Sequence, residues 1–210
     1  MFSSDEEAID AVKRWWRENG AFVIAGLVIG VALIAGWRFW QASMETQAAE
    51  AGNRVEQVNM AAEMGDFDQA ATLADELLAD YRRTSQAAHG ALRVAALAVD
   101  TGRLEEAADY LRWAVDNGRD QELAKLARVR LARVYVALDD PQSALDVLDG
   151  VDPGRYVALF EEARGDALLA AGEPAAAREA YGRALDADND EFGASAALEM
   201  KYHDLAGYQD

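Results

Sequence analysis

From Ala21 to Trp37 the chain reads AFVIAGLVIGVALIAGW, without one charged residue. At about 1.5 Å rise per residue, this run and its aromatic flanks cover roughly 30 Å, one hydrocarbon core. The pattern predicts a transmembrane helix over residues 21–40. Trp15 and Trp16 precede the run, and Trp37, Phe39 and Trp40 close it. Such aromatic belts sit at the two headgroup levels of a bilayer. A cleaved signal peptide fits poorly. The leader carries Asp5, Glu6, Glu7 and Asp10, whereas a secretory n-region is short and basic, and no small-x-small site follows promptly.

In the leader, residues 1–20, Ser4 and Glu7 fit a capping box, and Ile9, Val12 and Trp16 recur at helical spacing. Asn19-Gly20 reads as a helix stop. A short amphipathic helix against the membrane surface is expected. Lys13, Arg14 and Arg17 lie just before the span and only Arg38 just after it. The positive-inside rule therefore places the leader in the cytoplasm and residues 41–210 on the outer side of the membrane. Within the span, Gly26 and Gly30 form a GxxxG pair, a face on which helices approach closely, with a homodimer as one outcome.

Beyond the span the pattern repeats. Four segments, MGDFDQAATLADEL, TGRLEEAADYLRWA, LDDPQSALDVLDGV and AGEPAAAREAYGRA, align without gaps around a Gly or Asp turn. Their anchor alanines are Ala70, Ala107, Ala144 and Ala177, separated by 37, 37 and 33 residues. That spacing straddles the tetratricopeptide period, in which each repeat is a pair of antiparallel helices with small residues at the helix crossing. Twelve residues before the last three anchors stand Ala95, Ala132 and Gly165. After the anchors come Leu111 and Ala114, then Leu148, then Tyr181 and Ala184. The expected hairpins pair 43–64 with 66–80, 85–100 with 103–117, 121–138 with 141–149, and 155–171 with 173–187. A helix near 191–205, presenting Tyr202 and Leu205, caps the stack. The predicted fold is thus all-α: one N-terminal transmembrane helix, then an α-solenoid of about four tetratricopeptide-like helical hairpins with a C-terminal capping helix.

Composition supports helix, with abundant Ala and three prolines in 210 residues. A net charge of −18 excludes nucleic-acid binding as the reading, since that needs a clustered basic face. The acidity reads as a solvated surface, with a lure for basic segments as the sharper alternative. No cysteine is present, which removes disulfides, thiolate metal sites and cysteine nucleophiles.

Catalytic signatures are missing. The chain holds no HExxH, GxSxG, phosphate-cradling loop or dinucleotide fingerprint, and its two histidines, His89 and His203, are far apart. The run from Asp186 to Glu191 departs from a calcium loop, with Glu191 where the turn glycine belongs and Ala197 where the bidentate Glu belongs. Neither an enzyme, a cofactor nor a metal site is expected. What remains is surface. The concave side of such an array is lined by the first helix of each pair. The repeat register puts Val55, Asn59, His89, Leu92, Arg133, Val136, Glu162 and Asp166 there, a mixture suited to an extended peptide or a partner helix.

The chain resembles the ancillary SecYEG translocon subunit family nearly from end to end. The likeness is carried by EEAIDAVKRWWRENG, GWRFWQ, RLARVYVAL, RGDALLAAGEPAAAREAY and ALEMKYHDLA. It implies an inner-membrane protein with a periplasmic tetratricopeptide-like domain. It further implies association with the SecYEG channel and with a membrane-anchored periplasmic chaperone of the prolyl-isomerase type. The implied role is passing translocated client proteins to periplasmic chaperones. The alternative is an envelope stress regulator whose leader sequesters a cytoplasmic signalling protein.

Overall fold

A computed structural model describes residues 3–118, 120–187 and 196–208. The side chains of residues 3–8 and 10–12 lie outside the description, and with them the Ser4–Glu7 capping box. The chain forms two compact units, Met1–Gln47 and Ala48–Asp210.

The first unit lies on α1 (Ser3–Glu63). The helix passes the expected stop at Asn19-Gly20 without a break, which corrects that expectation. Two local contacts explain it. Asn19 folds its amide back, donating from Nδ2 to the Trp15 carbonyl at 3.0 Å, and Gly20 lies under the Trp16 indole. Nor does a new helix begin near Ser43. Among the described residues, α1 is the one helix long and apolar enough to cross a membrane. Across residues 21–40 its apolar side chains point outward all round, with Phe22 79% and Leu33 69% exposed. An apolar surface of this length and continuity fits a hydrocarbon environment.

The second unit begins with the end of α1, whose Ala51, Val58, Ala61 and Ala62 are buried. It continues through α2 (Phe67–Asp80), α3 (Ser85–Asp100), α4 (Leu104–Asn117), α5 (Gln121–Ala137) and α6 (Pro141–Leu148). A 3₁₀ turn (Gly154–Tyr156) then leads into α7 (Val157–Ala170), α8 (Pro174–Asp186) and α9 (Ala196–Asp204). The described residues contain no strand. The pairs α3/α4, α5/α6 and α7/α8 pack as hairpins, and each second helix also packs on the next first helix, as α4 does on α5 and α6 on α7.

The four turns share one geometry. Gly65, Gly102, Asp139 and Gly172 stand at the same repeat position and all have positive φ, at 73°, 75°, 61° and 81°. The amide of each next residue reaches back to a carbonyl five residues earlier, as Arg103 does to Ala98 at 2.7 Å and Asp140 to Tyr135 at 2.9 Å. This closure satisfies carbonyls that the helix end leaves open. Asp66 and Asp140 then cap the following helices by accepting from the Gln69 and Ser143 amides. Pro141 and Pro174 open α6 and α8, where a missing N–H costs nothing. Hydrogen bonding from the Ser143 hydroxyl, then from its amide, holds the Asp140 carboxyl below its ordinary pKa.

The anchor positions are where the period places them. Ala70, Ala107, Ala144 and Ala177 are fully buried, as are Ala95, Ala132 and their second-helix counterparts Leu111, Leu148 and Tyr181 to within 2%. Gly165 is buried too. The core is thus built on alanine, which lets helix axes approach closely. At the end of the array, Leu198 and Leu205 of the α9 region are buried in one cluster with Tyr181 and Ala184, and Tyr202 is half-buried against that cluster. This is the expected cap. Its stretch 191–195, together with most of the calcium-loop-like run, lies outside the described residues.

Candidate interaction groove

The first helices α3, α5 and α7 lie side by side, and their shared face carries two adjoining cavities. The first, about 340 Å³, opens between α3, α4 and α5. Its floor is apolar, made by Leu92, Ala95, Leu104, Leu111 and Val134, and its edge carries Val99, Asp100, Arg130 and Arg133. The second, about 360 Å³, lies between α5 and α7 and is lined by Arg133, Val136, Asp166, Leu169 and Ala170. Arg133 belongs to both, so the two form one groove.

Helical phase explains the apolar lip. Val99, Val136 and Leu169 stand at one repeat position near the ends of α3, α5 and α7. Val99 and Leu169 are each 43% exposed. Three branched side chains in line along a half-open groove form a surface that favours apolar contact.

The charged lip is organised around α7. Arg133 Nη2 donates to Glu162 Oε2 at 3.1 Å, crossing from α5 to α7. Lys201 Nζ, from α9, donates to Glu162 Oε1 at 3.0 Å and to Asp166 Oδ1 at 2.7 Å. The Tyr181 hydroxyl donates to the same Asp166 oxygen at 2.8 Å. Burial alone would lower the Lys201 pKa, but its bonds to Asp166 and Glu162 outweigh this and raise it. Burial, then the Asp166 bond, pushes the Tyr181 phenol far above its usual range. Each proton therefore stays in place across the physiological range.

Of the positions singled out in sequence, Leu92, Arg133, Val136 and Asp166 meet in the groove, and Glu162 joins through Arg133. Val55 packs against the core of the first repeats. Asn59 is half-buried on α1 and His89 exposed on α3. Neither lines the two cavities. Sequence reasoning missed Ala96, Val99, Arg130 and Leu169, although the same 37- and 33-residue steps reach them from Arg133 and Val136 for three of the four. Lys201 carried no such signal, because it lies beyond the repeats. Gly26 and Gly30 face open space. Among the described residues, no three His, Asp or Glu side chains gather as a metal site.

The profile of the tetratricopeptide repeat-like domain family matches residues 13–207. The chain belongs to that family. Its tetratricopeptide-like hairpins have relatives of nearly equal length. A protein of Escherichia coli (strain K12) named "Ancillary SecYEG translocon subunit" is 29% identical over 206 residues, covering 98% of each chain. Proteins of the same name in Haemophilus influenzae and Neisseria gonorrhoeae are each 26% identical, covering 86% and 96% of this chain and 88% and 97% of their own. The similarity runs through both the apolar helix and the tetratricopeptide-like unit.

Proposed function

We propose that this protein is a non-catalytic, single-pass inner-membrane module that works beside the Sec translocon. Its leader lies in the cytoplasm, residues 21–40 span the bilayer, and the tetratricopeptide-like domain stands in the periplasm. There it receives translocated proteins and passes them to a membrane-anchored chaperone of the prolyl-isomerase type. The observation that carries this reading is the end-to-end relation to proteins named ancillary SecYEG translocon subunits, joined to a groove on the first-helix face. The flanking cations support the orientation, and the Gly26–Gly30 face offers a surface for helix association in lipid.

The groove suits holding without chemistry. An apolar floor accepts a side chain from an unfolded segment, while fixed charges at the lip orient the backbone beside it. Co-purification from detergent tests the reading. The full chain should bring down channel subunits and the chaperone, and deletion of residues 42–210 should abolish chaperone association while leaving insertion intact. Undiminished chaperone association after that deletion would reject the role given to the repeats.

A further inference from the structure

The second unit is strongly acidic: residues 48–210 hold 16 Lys and Arg against 32 Asp and Glu, a net charge of −16. The groove departs from that balance. Arg133 and Lys201 are matched by Glu162 and Asp166. Arg130 is different. It is exposed, it lines the cavity between α3 and α5, and among the described residues it forms no ion pair or hydrogen bond. Arg93 occupies the same repeat position one repeat earlier, 37 residues before Arg130, and is equally without a partner there. It lies one helical turn from Ala96, another lining residue. Asp100 is the one carboxylate in this lining, against Arg130 and Arg133.

Several other arginines of this unit are matched by a carboxylate, as Arg54 is with Glu76, Arg112 with Asp109 and Arg183 with Glu161, while Arg82 and Arg128 bond to an amide oxygen and a backbone carbonyl. In a domain with twice as many acids as bases, leaving two aligned arginines unmatched beside an apolar cavity costs local neutralisation that was within easy reach. A cavity of about 340 Å³ admits one large side chain. A guanidinium fork beside it matches a carboxylate in geometry and charge.

Resting on the reading of this face as a protein-binding groove, the geometry points to its preferred occupant: an acidic protein segment. A Leu or Phe of that segment fills the cavity between α3, α4 and α5, and flanking Asp or Glu side chains meet Arg130 and Arg93. The acidic outer surface of the domain does not attract such a segment. The groove therefore selects by charge against its own surroundings, and basic segments are drawn to the outside instead.

Two labelled peptides test this against the full chain in detergent micelles, with fluorescence anisotropy as the readout. Both have blocked termini and a central Phe, one flanked by glutamates and the other by lysines. The glutamate peptide should bind more tightly, and its affinity should fall as salt rises. Arg130→Glu should weaken it by about tenfold or more. That residue has no partner among the described residues, so the variant should unfold at the same urea concentration as the parent. Ala96→Trp, which fills the cavity, should weaken both peptides. If the lysine peptide binds more tightly and Ala96→Trp displaces it, the groove binds segments but the charge assignment is wrong. If Ala96→Trp affects neither peptide, the groove reading falls with it. Unchanged affinity of the glutamate peptide in Arg130→Glu would also overturn the proposal.

Discussion

The ring of Tyr181 lies against the backbone of Gly165: a Cβ built on that glycine would stand 2.5 Å from Tyr181 Cδ1. The same two repeat positions hold Ala95 and Leu111, then Ala132 and Leu148, all buried. The bulkiest second-helix residue thus faces the smallest first-helix residue. The close packing of α7 and α8 depends on their combined size rather than on either alone. Gly165→Ala should destabilise the domain by about 1–3 kcal/mol through overpacking. Tyr181→Leu in that background should return part of the loss, and a double-mutant cycle in urea measures the coupling. Additive losses would show that the two positions do not share one space.

Asp139 holds a left-handed turn that Gly65, Gly102 and Gly172 hold in the other repeats. An L side chain is strained there, so Asp139→Gly should stabilise the domain by about 0.5–1 kcal/mol. The gain should appear as a higher urea midpoint with an unchanged slope. A loss would mean that the Asp139 carboxylate makes a compensating contribution.

Lys201 ties the capping helix to α7 through Glu162 and Asp166. Its pKa is raised in the folded protein, so its contribution is fully present below the unfolded value of about 10.4 and is lost as pH climbs through the folded one. Lys201→Met should therefore lower stability at pH 8, on the order of 1 kcal/mol for a pair still partly open to water. Once the pH has passed the raised folded-state value and the lysine has lost its proton, parent and variant should converge. A gap that persists at high pH would assign the effect to packing of the lysine stem.

The outward apolar side chains of α1 predict that a charge at mid-span disrupts insertion. Ile29→Arg adds about 2.5–3.5 kcal/mol at the helix centre. Alkaline carbonate should then release a substantial fraction of the protein from membranes while the parent stays in the pellet. Full retention would contradict a span centred there.

Much of the fold was legible because the period is enforced by crossing helices. A residue that must be small for two axes to approach recurs wherever the crossing recurs, and Ala70, Ala107, Ala144 and Ala177 report it. Asn19-Gly20 misled for a physical reason. Both residues disfavour helix in isolation, but the Asn19 amide finds the Trp15 carbonyl and Gly20 finds the Trp16 ring. The groove was half legible. Val136 and Arg133 follow from the register, and Val99 and Leu169 follow from the same register carried one repeat in each direction. The Lys201 contacts have no periodic trace. They join residues 35 and 39 apart in sequence and depend on how α9 folds back on α8.

In-cell photo-crosslinking from Val136 and Leu169, compared with Glu105 and Glu179 away from the groove, bears most directly on the proposed role. Groove positions should yield adducts with channel subunits, the anchored chaperone or chains in transit, and the two glutamate positions should yield few. Equal labelling from all four sites, or adducts only from the glutamates, would contradict a receiving groove.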